Sequence, residues 1–119
     1  MLASRFRFHG HGSLRFVYAK GQVARSKYFI LKTTSNNRRS DPRIAVVISK
    51  KVMKSAVKRN RIRRRVYEAV RTELPSLEPR SDIAIIIISP ELLTAPTEDI
   101  YRSLKTCFTQ SHLYKTTDN

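Results

Sequence analysis

With 119 residues the chain has the length of one domain with its own core, and 24 Lys plus Arg against 9 Asp plus Glu leave it a net charge of +15. Its single cysteine, Cys107, excludes an internal disulfide and any cysteine-based zinc site, and is expected to be a small buried hydrophobe. Self-repulsion at +15 costs stability unless a polyanion is nearby, and without a lipidation signature nucleic acid is favoured over an anionic membrane face as partner.

The first residues, MLASRFRFHGHG, lack the apolar stretch of a secretory signal, and no lipidation signature is present, so a soluble, cytoplasmic protein is expected. His9 and His11 form an H-x-H flanked by glycine, read as an ordinary flexible terminus and not a metal site. Ser13 to Gly21 predicts a short helix: Ser13 as cap, Leu14, Val17 and Tyr18 on one face, and Gly21 at the C-terminal stop. Tyr28 to Thr34 (YFILKTT) and Arg43 to Ser49 (RIAVVIS) read as strands around the turn chemistry SNNRRSDP, which suggests a hairpin. Lys50 to Leu74 reads as mostly helical, stopped by Pro75. Asp82 to Ser89 (DIAIIIIS) is a third strand, too short to span a bilayer. Thr97 is expected to cap a last helix with Ile100, Leu104, Cys107 and Phe108 on its buried side. The apolar strands need cover on both faces. The expected architecture is therefore a single α/β (α+β) two-layer sandwich over residues 1–119, a sheet packed by helices.

The densest charge is KRNRIRRRVY at 58–67, with five arginines between Arg59 and Arg65. At 100° per residue, Ile62, Val66, Ala69 and Val70 share one arc, while Asn60, Arg64, Tyr67 and Arg71 fall opposite with Arg61 and Arg63 on the flanks. Arg59 would land on the apolar arc, so it is expected at or before the helix start, with Asn60 as cap. A merely solvated face needs acids one turn away. Between Lys50 and Arg71 the only acid is Glu68, expected to pair with Arg64. The uncompensated face therefore reads as a polyanion dock, with Arg as a bidentate phosphate grip and Lys50, Lys51, Lys54 and Lys58 as point charges. Charge alone does not separate RNA from DNA.

At these residues the sequence resembles the bacterial ribonuclease P protein component. Arg43-Ile-Ala-Val-Val-Ile-Ser-Lys-Lys51 followed by Ala56-Val-Lys-Arg-Asn-Arg-Ile-Arg-Arg64 carries the resemblance, centred on Arg59, Asn60 and Arg61. Arg7-Phe8, Val17-Tyr18, Gly21 and Asp82-Ile83 extend it over about residues 7 to 112. The resemblance implies a mixed sheet with a left-handed βαβ crossover, where the general rule favours the right-handed one. It implies assembly with a catalytic RNA that removes the 5′ leader of precursor tRNA, the RNA and its magnesium ions performing the hydrolysis. By position, Arg59, Asn60, Arg61, Arg63 and Arg64 would touch that RNA, with Lys50 and Lys51 near its phosphates. Tyr18, Phe29 and Lys32, with Leu14 at the mouth, would line the leader cleft. Leu14 stands where the family usually has Phe, Lys32 where an aromatic is common, Met53-Lys54 for the common Gly-Asn, and Tyr67 for Arg. The cleft should therefore lean less on stacking and more on charge.

The resemblance thus implies an accessory subunit of an endoribonuclease, with no catalytic residue, no cofactor of its own, and no obligate protein partner. An independent metallonuclease would need clustered carboxylates or histidines, and the acids are scattered, Glu98-Asp99 reading as helix-start chemistry. A structural RNA-binding protein would share the charge but needs no second site for a single strand.

Overall fold

Six consecutive apolar residues, Ile83 to Ile88, belong at the centre of a sheet, where both faces are covered. The computed structural model, which describes residues 4–8, 12–36, 38 and 40–115, places Ile83 to Ile87 there, with Ile88 beyond the strand end and exposed. Strands β1 (Gln22–Arg25), β2 (Phe29–Ser35), β3 (Arg43–Val47) and β4 (Ser81–Ile87) form one mixed sheet in the order β1-β2-β4-β3. β4 pairs antiparallel with β2 and parallel with β3. Helices α1 (Gly12–Lys20), α2 (Ala56–Glu73) and α3 (Thr97–Gln110) complete the fold, α2 lying in the crossover from β3 to β4. The α+β class expected from the sequence is what the chain adopts.

Two expectations about the sheet are corrected. The strands at 28–34 and 43–49 do not form a hairpin: β4 lies between them. Proximity in sequence favours their pairing, but the strand with the most apolar surface gains most from the central place. The true hairpin partner of β2 is β1, Gln22 to Arg25, whose only buried residue is Ala24.

The pleat divides the sheet into two unlike faces. Phe29, Leu31, Ile44, Val46, Ile83 and Ile85 face α2 and α3, where Ile62, Val66, Leu104 and Phe108 close the core. Each such side chain, fully buried, contributes about 1.5–3 kcal/mol. Lys32 and Ala84 lie on the other face, partly roofed by α1 through the fully buried Val17. Gly21 follows α1 at a close approach: its N–H donates to Val17 O at 2.8 Å, and a Cβ there would press on that oxygen and stand 3.1 Å from Thr33 N. Its φ is not left-handed, so crowding, and not helix-stop geometry, fixes the glycine.

The helix starts also differ from expectation. α1 begins at Gly12, and the expected Ser13 cap rests on a side chain outside those described, as do His9 and His11. α2 begins only at Ala56, because Ser49 to Ser55 is a loop whose turn is closed by Val52 and Met53 N–H to Ser49 O. Its cap is Ser55, with Oγ accepting from Lys58 N–H at 3.3 Å, so Asn60 is not the cap. α3 has Pro96 at the cap position, and Thr97 is its first helical residue.

α3 ends in a Schellman motif: His112 N–H reaches Thr109 O at 3.1 Å and Leu113 N–H reaches Phe108 O at 3.0 Å. The left-handed position is His112, φ 54°, where glycine is usual. His112→Gly is therefore expected to stabilise the fold by about 1 kcal/mol, read as a higher midpoint in urea at unchanged slope.

Among the described residues, no helix is long and apolar enough to cross a membrane. Cys107 is buried, with Sγ donating to Ser26 Oγ at 3.3 Å, and burial pushes its thiol pKa up, so it is the inert hydrophobe expected.

Candidate nucleic-acid interface

The five arginines of α2 do different work. Arg59 lies in the first turn, not before the helix, and its guanidinium turns back to donate to Met53 O at 2.9 Å and Lys54 O at 2.7 Å. It fastens the loop carrying Lys50, Lys51 and Lys54 to the helix. Arg65 donates to Leu92 O at 2.6 Å and to Ala95 O, fixing the segment between β4 and α3. Arg63 donates to Asn60 Oδ1, bracing both side chains along one edge. Arg61 and Arg64 are exposed and enter no hydrogen bond or ion pair among the described residues.

Two expected partners are corrected. Glu68 pairs with Arg71 instead of Arg64, one turn toward the C-terminus, which leaves the N-terminal half of α2 with no acid at all. The Arg71 guanidinium holds the Glu68 carboxyl below its usual range. Tyr67 is buried, not on the cationic face, and its hydroxyl oxygen accepts from Val46 N–H at 3.3 Å on the outer strand β3. That bond satisfies an edge amide, and Arg7 bridges to Ile44 on the same strand.

The result is a surface of Lys50, Lys51, Lys54, Lys58, Arg61 and Arg64, all exposed, gathered around the N-terminus of α2. Cations there oppose the helix dipole, which favours anions at that end. Repulsion among them adds to the cost. An approaching phosphate backbone reverses the sign of both contributions, and exposed helix N–H groups point the same way.

The second candidate region is the open sheet face beside α1. Leu14 and Tyr18 are half-buried on one flank of α1, and Lys32 Nζ donates to Tyr18 O at 3.2 Å while lying 5.6 Å from the Tyr18 ring centroid. Burial raises the Tyr18 hydroxyl pKa. Half-buried Ile30, Ile86 and Val47 form the neighbouring row across β2, β4 and β3. Phe29 does not belong to this set. It is fully buried in the core on the other face, because residues three apart in a strand point oppositely and Lys32 holds the open side.

At the end of this same face, Arg43 Nε and Nη2 grip Asp82 at 2.9 and 2.7 Å, and Asn36 Nδ2 adds a third bond at 3.0 Å. Among the described residues, no three His, Cys, Asp or Glu come together as a metal site.

A small α+β domain with one acid-free cationic helix end and one half-open sheet face defines a class: basic proteins shaped to hold a polyanion. The sequence profile of ribonuclease P matches residues 2–112. The ribonuclease P protein component of a Cyanothece species is 29% identical over 128 aligned positions, covering 95% of this chain and 97% of the relative. That of Chloroflexus aurantiacus is 40% identical over 91 positions, covering 76% of this chain and 66% of the relative. The solved ribonuclease P protein of Staphylococcus aureus has the same fold, with TM-score 0.80 at 23% identity over 92% of this chain and 98% of that one. That of Thermotoga maritima gives 0.74 at 20% identity over 83% and 91%. The chain belongs to the family of bacterial ribonuclease P protein components.

Proposed function

We propose that the chain is the protein subunit of a ribonuclease P ribonucleoprotein in the cytoplasm, docking the catalytic RNA through the N-terminal half of α2 and its approach loop. The observation that carries this is the acid-free cluster of Lys50, Lys51, Lys54, Lys58, Arg61 and Arg64 at the positive end of the helix. Arg59, Asn60 and Arg63 complete the RNA-binding set, with Arg59 acting largely by holding the lysine loop in place.

The 5′ leader of precursor tRNA lies along the open sheet face, against Leu14, Tyr18 and Lys32, with the Ile30, Ile86 and Val47 row as an apolar floor. Lys32 over the Tyr18 ring supplies charge to a cleft with one aromatic wall. The chain supplies no catalytic residue. The magnesium that the ribonucleoprotein requires belongs with the RNA: the best-placed carboxylate, Asp82, is buried and held by Arg43 and Asn36. No obligate protein partner is invoked.

Tyr18→Ala is expected to weaken binding of precursor tRNA to the assembled enzyme by about 1–3 kcal/mol, the worth of one stacked base, while mature tRNA binds as before. Equilibrium titration of both tRNAs with the reconstituted enzyme checks this. Equal losses for the two would remove the leader from this face.

A further inference from the structure

A recess lies on the opposite flank of α1 from Leu14 and Tyr18. It has a volume of about 610 Å³ and is closed by the end of β2, the start of β4 and the end of α3. Pockets of about 300–1,000 Å³ take small-molecule ligands, so there is room for one nucleotide. Phe16, 56% exposed, presents its ring to the recess, and Lys20 stands one turn further along the same helix face. Arg80 enters from the start of β4, and neither cation is in an ion pair among the described residues. Glu78 is the one carboxylate in the wall, leaving a cationic excess.

A further observation points to a ligand. His112, also in the wall, is the residue strained into left-handed backbone at the Schellman position, where glycine serves the fold better. Local strain held in place beside a recess is a mark of a binding site.

We propose that this recess binds one unpaired nucleotide of an RNA strand, its base stacked on Phe16 and its phosphate held by Lys20 and Arg80, with His112 at its rim. The site is separate from the leader cleft, and its first test uses the free chain, so it stands or falls independently of the assembly described above.

The test is an NMR titration of the isotope-labelled chain with adenosine monophosphate. The expected result is saturable shifts at Phe16, Lys20, Arg80 and His112. Phe16→Ala should weaken binding about tenfold, and Arg102→Ala, an exposed cation of α3 outside the recess, should leave it unchanged. His112→Gly should bind more weakly while folding more stably, which a merely structural role would not produce. Shifts confined to Leu14, Tyr18 and Lys32 would overturn the proposal. So would equal affinity for inorganic phosphate, since the stacked base would then contribute nothing. In the ribonucleoprotein assembled with precursor tRNA, a photo-crosslinker on Gln22→Cys, at the recess wall, names the source of the strand, the buried Cys107 staying unlabelled. Adducts with the catalytic RNA or with precursor tRNA support the site. Adducts with neither would refute it.

Discussion

Arg43→Ala is expected to cost the fold about 3–5 kcal/mol, because it leaves the Asp82 carboxylate buried without its cation. The two side chains are only 12% and 5% exposed and share two parallel hydrogen bonds. The ion pair joins the N-terminal ends of parallel strands β3 and β4, where Arg43 and Asp82 are register partners. It also ties in the chain on either side: Asn36 donates to Asp82, and the Phe8 ring lies 4.7 Å from the Arg43 guanidinium carbon. Arg43→Lys should recover only part of the loss, since an ammonium cannot make the paired bonds. Removing both charges with Arg43→Met and Asp82→Leu together should cost less than Arg43→Ala alone. Urea unfolding of the single and double variants measures this, and additive losses would show that the pair is not coupled.

Arg61→Ala with Arg64→Ala is expected to leave stability within about 0.5 kcal/mol of the parent, since neither side chain has a partner among the described residues. The same change should weaken binding to the catalytic RNA by about tenfold or more. It should also lower the salt dependence by about one unit of slope for each phosphate no longer neutralised. Arg65→Ala should do the reverse. It removes bonds to Leu92 O and Ala95 O, so stability falls while the salt slope is kept. Unfolding curves and affinities measured across a salt series separate the two behaviours. A parental salt slope after loss of both Arg61 and Arg64 would take the RNA away from this face.

The sequence makes some of these distinctions readable and hides others. The central strand is legible because an unbroken apolar run calls for cover on both faces, and Ile83, Ala84, Ile85 and Ile87 are all buried. The buried arc of Ile62, Val66, Ala69 and Val70 is legible because helical period and burial agree. β1 is hidden, since an edge strand with one buried residue leaves no alternation to find. The mistaken hairpin has a related origin: neighbours in sequence compete for pairing with a later strand whose apolar content wins.

Within the candidate site, charge singles out the helix but not the job of each cation. Arg59 and Arg65 are committed to backbone carbonyls, which sequence does not display. The place of Arg59 on the apolar arc is a sign that it cannot project to solvent with the others, and Arg65 lies at the margin of that arc. Tyr67 ranks with the polar face by angle alone, yet an outer-strand amide draws its hydroxyl inward. Phe29 is decidable without coordinates: its separation of three from Lys32 within one strand already places the two on opposite faces.

The cationic end of α2 docks one catalytic RNA: this is the central claim. Capturing the tagged chain from its native cells and sequencing the RNA bound to it tests that claim most directly. The expected result is one dominant structured RNA, accompanied by precursor tRNAs. A spread of ribosomal fragments with no such RNA would contradict the claim and return the chain to a structural RNA-binding role.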